Sequence, residues 1–435
     1  MALLLATWAQ GKLPLDRPHA SVLIVAAKWW PMSARLAAAL RKHGCQVSAL
    51  CPKGHPLTHV TGLHRIYRYG GIQSLASVRR ALQHCQPDII IPCDDGVVAQ
   101  LHALHALDPS LRSLIEHSLG APQYYPVVES RYELLNTANE LGIHVPKMLK
   151  VAKPEDLEYW HDNVAAAAVL KVDGESGGNG VRVCRSLNES LAAWRELRAP
   201  CSSPTAWKRL AVDGDPLALW MRDRHTEREV SVQEFIPGRP ANSMLVCWRG
   251  ELLAMVSVLV VAAQGPIGAA TIVRVIKNDR MKKAAELLVS QLKLSGFYGL
   301  DFIVESGTGA PFLIEMNPRC TQLGHIELAG KSSLAGVLSA VLRNEPVPEV
   351  QNPIRNDTIA LFPQALEAGE ACRSYLDASY HDIPLEEPRL MSELLLKSRP
   401  QRRLAARIYH AFKPMERVEP VIFEGRAKDT VAVVR

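Results

Sequence analysis

The sequence predicts an α/β protein whose N-terminal part contains a parallel sheet. Buried-strand patterns alternate with amphipathic helical patterns over residues 21–92, which is the pattern of a parallel sheet with crossover helices. The length of 435 residues suggests two or three domains. A hydrophobic fraction of 48% and a charged fraction of 22% are ordinary values for a globular protein, so a disordered chain is excluded.

The N-terminal elements follow from the spacing of apolar residues. Helical spacing alternates with short apolar runs, which predicts strands at 21–27, 46–50 and 88–92 and helices at 32–43 and 74–84. The last strand ends in Asp94-Asp95-Gly96. Open α/β sheets bind ligands beyond the carboxyl ends of their strands, so these carboxylates are substrate candidates. The structural alternative is a polar turn that begins a helix.

Two common nucleotide-binding motifs are absent. A dinucleotide-binding fold needs glycines after the first strand, because the backbone must approach a pyrophosphate closely. Here that turn is Ala27-Lys28-Trp29-Trp30-Pro31. The chain also has no Gly-x-x-x-x-Gly-Lys-Ser/Thr sequence, which excludes a P-loop enzyme.

Charge and composition exclude further classes. The net charge is +6 with both signs interspersed, and a nucleic-acid-binding surface would need a clustered basic stripe. The longest apolar run, 252–263, is shorter than the roughly 20 residues that span a bilayer. The N-terminus lacks the basic region of a secretory signal. Nine scattered cysteines without a Cys-x-x-Cys pair are typical of reduced thiols, so we expect a cytoplasmic protein.

The rest of the chain alternates strands, helices and hairpins. The same patterns predict helices at 130–141, 188–197 and 282–292, and strands at 169–172, 181–183, 229–236, 244–248, 252–261, 297–305 and 311–315. The last two strands form a hairpin around 306–309.

A glycine-rich loop joins two of these strands. Gly174, Gly177, Gly178 and Gly180 lie between strands 169–172 and 181–183. Without side chains in the way, backbone N–H groups in such a loop can converge on a phosphate chain. Lys171 precedes the loop on its strand and can reach the same phosphates. A flexible hairpin tip with an exposed lysine is the structural alternative.

Two carboxylates and an amide form a second motif. Asp301 lies on one strand of the predicted hairpin, and Glu315 and Asn317 lie two residues apart on the other, which places those two on one face. This oxygen-only set suits a hard cation such as Mg²⁺. Alternatively, the carboxylates are satisfied by arginines such as Arg319 or Arg274.

These motifs, in this order, resemble those of the ATP-grasp superfamily over roughly residues 20–335. The resemblance identifies Lys171 and the glycine loop as phosphate-binding, and Asp301, Glu315 and Asn317 as metal ligands. It identifies Arg319, two residues after the amide, as the active-site arginine. The segment Gln233-Glu234-Phe235-Ile236 corresponds to the hinge that binds adenine. Arg131 stands where the family has a basic residue near the start of the first lobe.

The resemblance implies a fold and an activity. The fold is an α/β pre-domain (1–122), two α+β ATP-grasp lobes (123–335) and a C-terminal extension (336–435). The activity is that of a carboxylate–amine ligase, which uses ATP and Mg²⁺, or Mn²⁺ in its place, to form an acyl phosphate that an amine attacks. The motifs are also similar to those of carbamoyl-phosphate synthase and biotin carboxylase, so a bicarbonate-activating enzyme is one alternative. An ATP-binding regulator without turnover is another.

The expected partners follow from this activity. They are a small-molecule carboxylate and an amine, with no nucleic acid and no membrane, and the family allows a homodimer. Arg274 and His325 are candidates to line the substrate pocket. Arg274 follows a small-residue stretch, 265–271, that can form a substrate loop. A purely structural role is the alternative for both residues.

Overall fold

The computed structural model describes residues 19–174, 180–224, 228–328, 332–348, 357–413 and 419–423. The predictions for Gly177 and Gly178 lie outside the described residues. Within these ranges, none of the helices is long and apolar enough to cross a membrane.

A four-stranded parallel sheet forms the N-terminal part, as the alternating pattern predicts. The strands are β1 Ser21–Val25, β2 Gln46–Cys51, β3 Ile66–Arg68 and β4 Ile89–Pro92, in the order β3-β2-β1-β4. The helices are α1 Pro31–Lys42, α2 Ser74–Cys85, α3 Asp95–Leu107 and α4 Arg112–Leu119. Along the chain, β2 and β3 are added on one side of β1, and β4 is added on its other side. The carboxyl ends of β1 and β4 therefore flank the switch point, where such sheets bind ligands.

A second four-stranded sheet is antiparallel, in the order β5-β8-β6-β7. Its strands are β5 Met148–Val151, β6 Ala168–Val172, β7 Val181–Cys184 and β8 Val230–Glu234. The helices before and within it are α5 Tyr125–Glu129, α6 Arg131–Glu140, α7 Pro154–Asn163, α8 Leu187–Arg198, α9 Ser203–Lys208 and α10 Ala218–Arg224, with a π-helical turn at Arg209–Asp213.

The largest sheet has eight strands and includes the predicted hairpin. Its order is β13-β12-β9-β10-β11-β16-β17, and β18 pairs with β10. The strands of this region are β9 Gly238–Trp248, β10 Glu251–Gln264, β11 Ala270–Ile276, β12 Gly296–Glu305, β13 Pro311–Asn317, the separate pair β14 Glu327–Leu328 and β15 Ser332–Ser333, β16 Thr358–Ala360, β17 Tyr380–His381 and β18 Pro420–Ile422. The helices are α11 Asp279–Leu292, α12 Leu334–Leu342, α13 Arg373–Ala378, α14 Pro388–Leu394, α15 Arg399–Arg402 and α16 Leu404–Phe412. The segment after residue 335 therefore adds strands to this sheet.

The two faces of the large sheet pack against different helices. On one face, residues such as Met244 and Val258 share a buried core with Leu40 of α1 and Leu338 of α12. On the other face, a second core includes Leu288 of α11 and residues of α6. The first core holds the N-terminal sheet against β9, β10 and β12, so residues from both sheets can contribute to one site.

Candidate active site

Asp301, Glu315 and Asn317 converge on the hairpin of β12 and β13. Asp301 is in register with Glu315, and Gly299 is in register with Asn317. The Nδ2 of Asn317 donates to Oδ2 of Asp301 at 3.0 Å. Asn242, on the neighbouring β9, donates its own Nδ2 to Oδ1 of Asp301 at 2.5 Å. Sequence reasoning missed Asn242, although the register of a hairpin beside β9 places it opposite Asp301.

The electrostatics of this cluster favour a cation. Burial, and after it the negative charge of Glu315, together raise the pKa of Asp301 to about 6. The repulsion between these two half-buried carboxylates is relieved by a proton or by a metal ion. Among the described residues, no group of three or more His, Cys, Asp or Glu is placed to hold a metal. The donor set still fits Mg²⁺, which takes few protein oxygens and completes its shell with phosphate and water.

Lys171 reaches this cluster from the other sheet. It lies on β6, is 5% exposed, and its Nζ donates to the carbonyl of Ile314 on β13 at 3.3 Å. Burial, and after it the positive charge of Arg131, lower the pKa of Lys171, whereas Glu315 and Asp301 raise it, and the net pKa is about 8. The structure thus places a buried ammonium beside the two carboxylates.

Arg131 is the arginine that pairs with Glu315. Its Nη2 lies 2.6 Å from Oε1 of Glu315, while its Nη1 donates to the carbonyl of Val172 at 3.2 Å and lies 3.4 Å from Oδ1 of Asp173. The alternative interpretation of the sequence, in which Arg319 or Arg274 satisfies the carboxylates, is therefore wrong about the arginine that pairs with Glu315. Asp173, directly after β6, is a further residue of the site that sequence reasoning missed.

Arg319 joins the cluster to the N-terminal sheet. Its Nε donates to Oδ1 of Asp95 at 2.8 Å, and its Nη2 donates to Oδ1 of Asn317 at 3.1 Å. Burial alone would lower the pKa of Arg319, but the Asp95 carboxylate outweighs it and the net shift is upward. Asp94 accepts hydrogen bonds from the N–H groups of Ala27 and Lys28 at 2.5 and 3.3 Å, so the switch point is tied to the same network.

The glycine loop and the hinge border the cluster. Gly174 has φ +81°, and the carbonyl of Gly180 accepts from the N–H of Val172 at 3.0 Å, so the described ends of the loop turn back beside Lys171. Residues 235–237 connect β8 of the smaller sheet to β9 of the large sheet. At Gly238 a Cβ would lie 2.3 Å from the carbonyl oxygen of Val304, so only glycine allows this crossing.

The hinge residues differ in exposure. Glu234 ends β8, and Phe235 and Ile236 are half-buried. Gln233 is 2% exposed, and its Nε2 has no hydrogen-bond partner among the described residues. A buried amide without a partner is costly, which makes Gln233 a candidate to bind a ligand group.

The structure does not bring Arg274 to the cluster. It lies on β11, in register with Leu259 of β10, which in turn is in register with Ala241 of β9. Since Asp301 is in register with Asn242, the alternation of side chains places Arg274 on the opposite face of the sheet. Its Nε donates to Oγ1 of Thr358 at 3.4 Å.

His325 lies six residues after Arg319, but its side chain contacts Asp382. Its Nε2 lies 2.8 Å from Oδ2 of Asp382, and Arg35 of α1 binds Oδ1 of the same carboxylate at 2.5 Å. Burial lowers the pKa of His325. These bonds fasten α1 to the segment after β17, which is a structural role.

A family model described as ATP-grasp domain matches residues 208–322. This part of the chain is therefore similar to an ATP-grasp domain. The matched range includes the hinge, the three metal-ligand candidates and Arg319, whereas Lys171 and the glycine loop precede it. No curated protein is significantly similar to the chain in sequence.

Solved structures of low sequence identity share the fold. An N5-carboxyaminoimidazole ribonucleotide synthetase in its ADP complex is 16% identical, with a TM-score of 0.57 over 79% of this chain and 81% of that chain. The N5-carboxyaminoimidazole synthase of Aspergillus clavatus, with ADP and 5-aminoimidazole ribonucleotide, is 13% identical, with a TM-score of 0.58 over 78% and 81%. The biotin carboxylase domain of Hydrogenobacter thermophilus 2-oxoglutarate carboxylase, with MgADP, ADP and bicarbonate, is 11% identical, with a TM-score of 0.56 over 77% and 72%. They confirm the mixed α/β class with several sheets.

Proposed function

We propose that the protein is an ATP-dependent ligase that activates a carboxylate as an acyl phosphate and couples it to a nitrogen nucleophile, releasing ADP and phosphate. One observation carries the proposal: Asp301, Glu315 and Asn317 meet a buried lysine from a second sheet and an arginine held by a third. This combination places opposite charges where a transferring phosphoryl group needs them.

The domain assignment is part of the proposal. We assign the parallel sheet to a pre-domain of residues 1–122, the antiparallel sheet of β5–β8 and the large sheet to two lobes within 123–335, and the remainder, 336–435, to a C-terminal extension. The connection at 235–237 and the bond between Lys171 and Ile314 support a nucleotide site between the two lobes.

ATP and Mg²⁺ fit this site through the chain's own groups. We assign the adenine to the hinge at 233–236, where the buried amide of Gln233 has no described partner. The phosphates belong beside Lys171 and the glycine loop. Asp301, Glu315 and Asn317 would hold Mg²⁺, which neutralises phosphate charge during phosphoryl transfer.

The remaining residues act on the carboxylate. A carboxylate oxygen attacks the γ-phosphorus as the bond to the ADP oxygen breaks, and the nitrogen nucleophile then displaces phosphate from the acyl phosphate and loses a proton. Arg319 uses Nε and Nη2 for Asp95 and Asn317. Its Nη1, without a described hydrogen-bond partner, can donate to the substrate oxygen that gains charge. Arg319 therefore contacts the substrate through one nitrogen.

ADP release tests the proposal. The purified protein is incubated with MgATP and a panel that combines carboxylates, bicarbonate among them, with amines, and ADP is measured. Bicarbonate belongs in the panel because one of the similar structures contains it. We expect ADP release that requires both a carboxylate and a nitrogen nucleophile. MgATP binding without turnover in any combination would instead support a regulator.

The pair of Arg319 and Asp95 gives a first prediction. Asp95→Asn removes the charge that orients Arg319, so we expect kcat to fall by about 10–100-fold, as for other groups that position an active-site residue. The KM for ATP should change less than twofold, because Asp95 does not face the phosphates in this assignment. Asp95→Glu keeps the charge and should recover part of the rate. An unchanged kcat in Asp95→Asn would contradict the assigned role of Arg319.

The raised pKa of Asp301 gives a second prediction. A cation competes with the proton on Asp301, so the affinity for Mg²⁺ should fall as the pH drops through about 6. In the metal-free protein the raised pKa of Asp301 makes the stability of the fold depend on pH in the opposite direction to the Mg²⁺ affinity. The free energy of unfolding should decrease as the pH rises from about 4 to 6, because the folded state must release this proton at a cost.

Titration calorimetry of Mg²⁺ with ADP between pH 5 and 8 measures the first effect, and urea unfolding of the metal-free protein measures the second. Asp301→Asn should flatten both profiles. Identical pH profiles in the wild type and Asp301→Asn would exclude Asp301 as the titrating ligand.

A further inference from the structure

A cavity of about 520 Å³ lies over the carboxyl ends of β1, β2 and β3 in the N-terminal sheet. Its walls come from the turns after these strands, from residues 210–216 and from residues 400–403. We propose that it binds the anionic end, carboxylate or phosphate, of a ligase substrate that has an apolar body. The identification of the ligand as a ligase substrate rests on the proposed function, whereas the cavity and its charge do not depend on it.

The charged side chains that line the cavity have one sign. Lys53, Arg68, Arg80 and Arg403 line it, and no Asp or Glu does. Arg403 donates through Nη1 to the carbonyls of Leu210 and Ala211, at 3.2 and 3.4 Å, so part of its function is to hold that wall. The other three form no ion pair with a described residue and are exposed at the rim. An anion would provide the missing countercharge.

The turn between β3 and α2 adds backbone donors to the same wall. The N-cap residue Gln73 makes no side-chain capping bond, so the first amides of this 12-residue helix are not capped by it. Ser77 fixes the turn, since its Oγ accepts from the N–H of Gly70 at 3.1 Å and donates to the carbonyl of Gln73 at 3.0 Å. A Cβ on Gly71 would lie 2.5 Å from Cδ1 of Leu210, so glycine lets the opposite wall come this close.

The inner surface suits an apolar body. Trp29, Tyr69 and Leu210 line it. The hydroxyl of Tyr69 is bonded to Oε1 of Gln100, which leaves the ring as the wall. His55 adds no charge, because burial lowers its pKa to about 4, and its Nε2 and Nδ1 are bonded to Lys28 and Leu57. A ligand with one oxyanion group and an aromatic or aliphatic part matches this distribution.

The cavity borders the proposed active site. Ala27 lines the cavity, and its N–H donates to Asp94 at 2.5 Å. The next residue, Asp95, holds Arg319 at 2.8 Å. A substrate anchored by its anion at the rim can therefore extend past Ala27 towards the arginine. The reacting group would lie at the opposite end of the molecule from the anchor.

Calorimetric titration with phenyl phosphate and with benzoate tests the cavity, because each joins an aromatic body to one of the two anions. We expect the wild type to bind at least one of them with a Kd of about 1 mM or tighter, and to bind neutral benzyl alcohol at least tenfold more weakly. Arg68→Gln and Arg80→Gln should each weaken binding of that probe at least fivefold. The probe that binds more tightly identifies phosphate or carboxylate as the preferred anion.

Arg65→Gln is the matched control. Arg65 is exposed on the same part of the chain, beside the ring of Tyr67, but does not line the cavity, so its loss should leave probe binding unchanged. The proposal is overturned if neither probe binds, or if Arg68→Gln and Arg80→Gln bind as the wild type does. Titration of MgADP into the same proteins keeps the two proposals apart, because the cavity variants should bind it normally. A wild type that binds a probe but no MgADP contradicts the ligase and leaves the anion site supported.

Discussion

Glu315→Gln should reduce ADP formation at least about a hundredfold and leave the metal-free fold intact. Glutamine keeps the volume and one acceptor oxygen but removes the charge that a metal ligand opposite Asp301 must provide. Substitutions of residues that only orient a ligand cost about 10–100-fold, so loss of a direct ligand should cost more.

Stability should change by no more than about 1 kcal/mol, the scale of one net hydrogen bond. The amide oxygen can still accept from Nη2 of Arg131, which now binds Glu315 at 2.6 Å. Arg131 also keeps the carbonyl of Val172 and the carboxylate of Asp173. The ionised form of Asp301 becomes more stable, because the neighbouring charge that raises its pKa is gone.

Two measurements decide this case: the midpoint of thermal unfolding of the metal-free mutant, and the rate at which the mutant forms ADP from MgATP in the presence of its substrates. Glu305→Gln is a matched control, since Glu305 lies on β12 at the far end of the hairpin, bonded to Thr308. It should be as stable and as active as the wild type. If Glu315→Gln unfolds readily yet retains its rate per folded molecule, Glu315 is only an ion-pair partner of Arg131.

Lys171→Met should weaken MgATP binding at least about tenfold, which corresponds to about 1.4 kcal/mol. The ammonium is the charge that the site offers to phosphate from the smaller sheet, and methionine keeps its apolar stem without it. The fold should survive, because the lysine is buried at a cost that lowers its pKa to about 8. Calorimetric titration with MgATP measures the affinity.

The same pKa predicts how affinity and stability depend on pH. Above about pH 8 the unbound protein loses the Lys171 proton, so MgATP binding should weaken and take up a proton. Lys171→Arg keeps its charge and should show neither effect. Between about pH 8 and 10.5 the unfolded chain holds the proton that the folded chain has released, so this group raises the free energy of unfolding with pH. Lys171→Met should lack that rise, and a wild type with pH-independent affinity up to pH 9.5 would contradict the role of Lys171.

Local sequence patterns predicted the parts of the site that lie within one hairpin. Alternation along a strand places Glu315 and Asn317 on one face, and a tight hairpin brings Asp301 opposite them. Apolar periodicity likewise predicted the parallel sheet through β1, β2 and β4. It missed β3 and β16–β18, which are two or three residues long and too short for a repeat to be visible, and it also missed the longer strands β5 and β11.

Apolar periodicity along the sequence cannot predict the contacts between sheets. Arg131 and Glu315 are 184 residues apart, and Arg319 and Asp95 are 224 residues apart. Their pairing depends on how three sheets pack, which only the family resemblance suggested. That resemblance placed Arg131, Lys171 and Arg319 in one site, but it did not predict Asp173, which pairs with Arg131, or Asn242, which binds Asp301. It also left the substrate candidates open, and Arg274 lies on the opposite face of the sheet.

The central claim is that the carboxylate substrate receives the γ-phosphoryl group directly. Transfer of ¹⁸O tests it. The carboxylate that supports ADP release in the substrate panel is labelled with ¹⁸O in both oxygens, and the phosphate formed with its nitrogen partner is analysed by mass spectrometry. If an acyl phosphate forms, each phosphate released carries one ¹⁸O atom from the carboxylate. Phosphate without ¹⁸O, formed at the same rate as the coupled product, would show that the carboxylate is never phosphorylated and would contradict the proposed ligase mechanism.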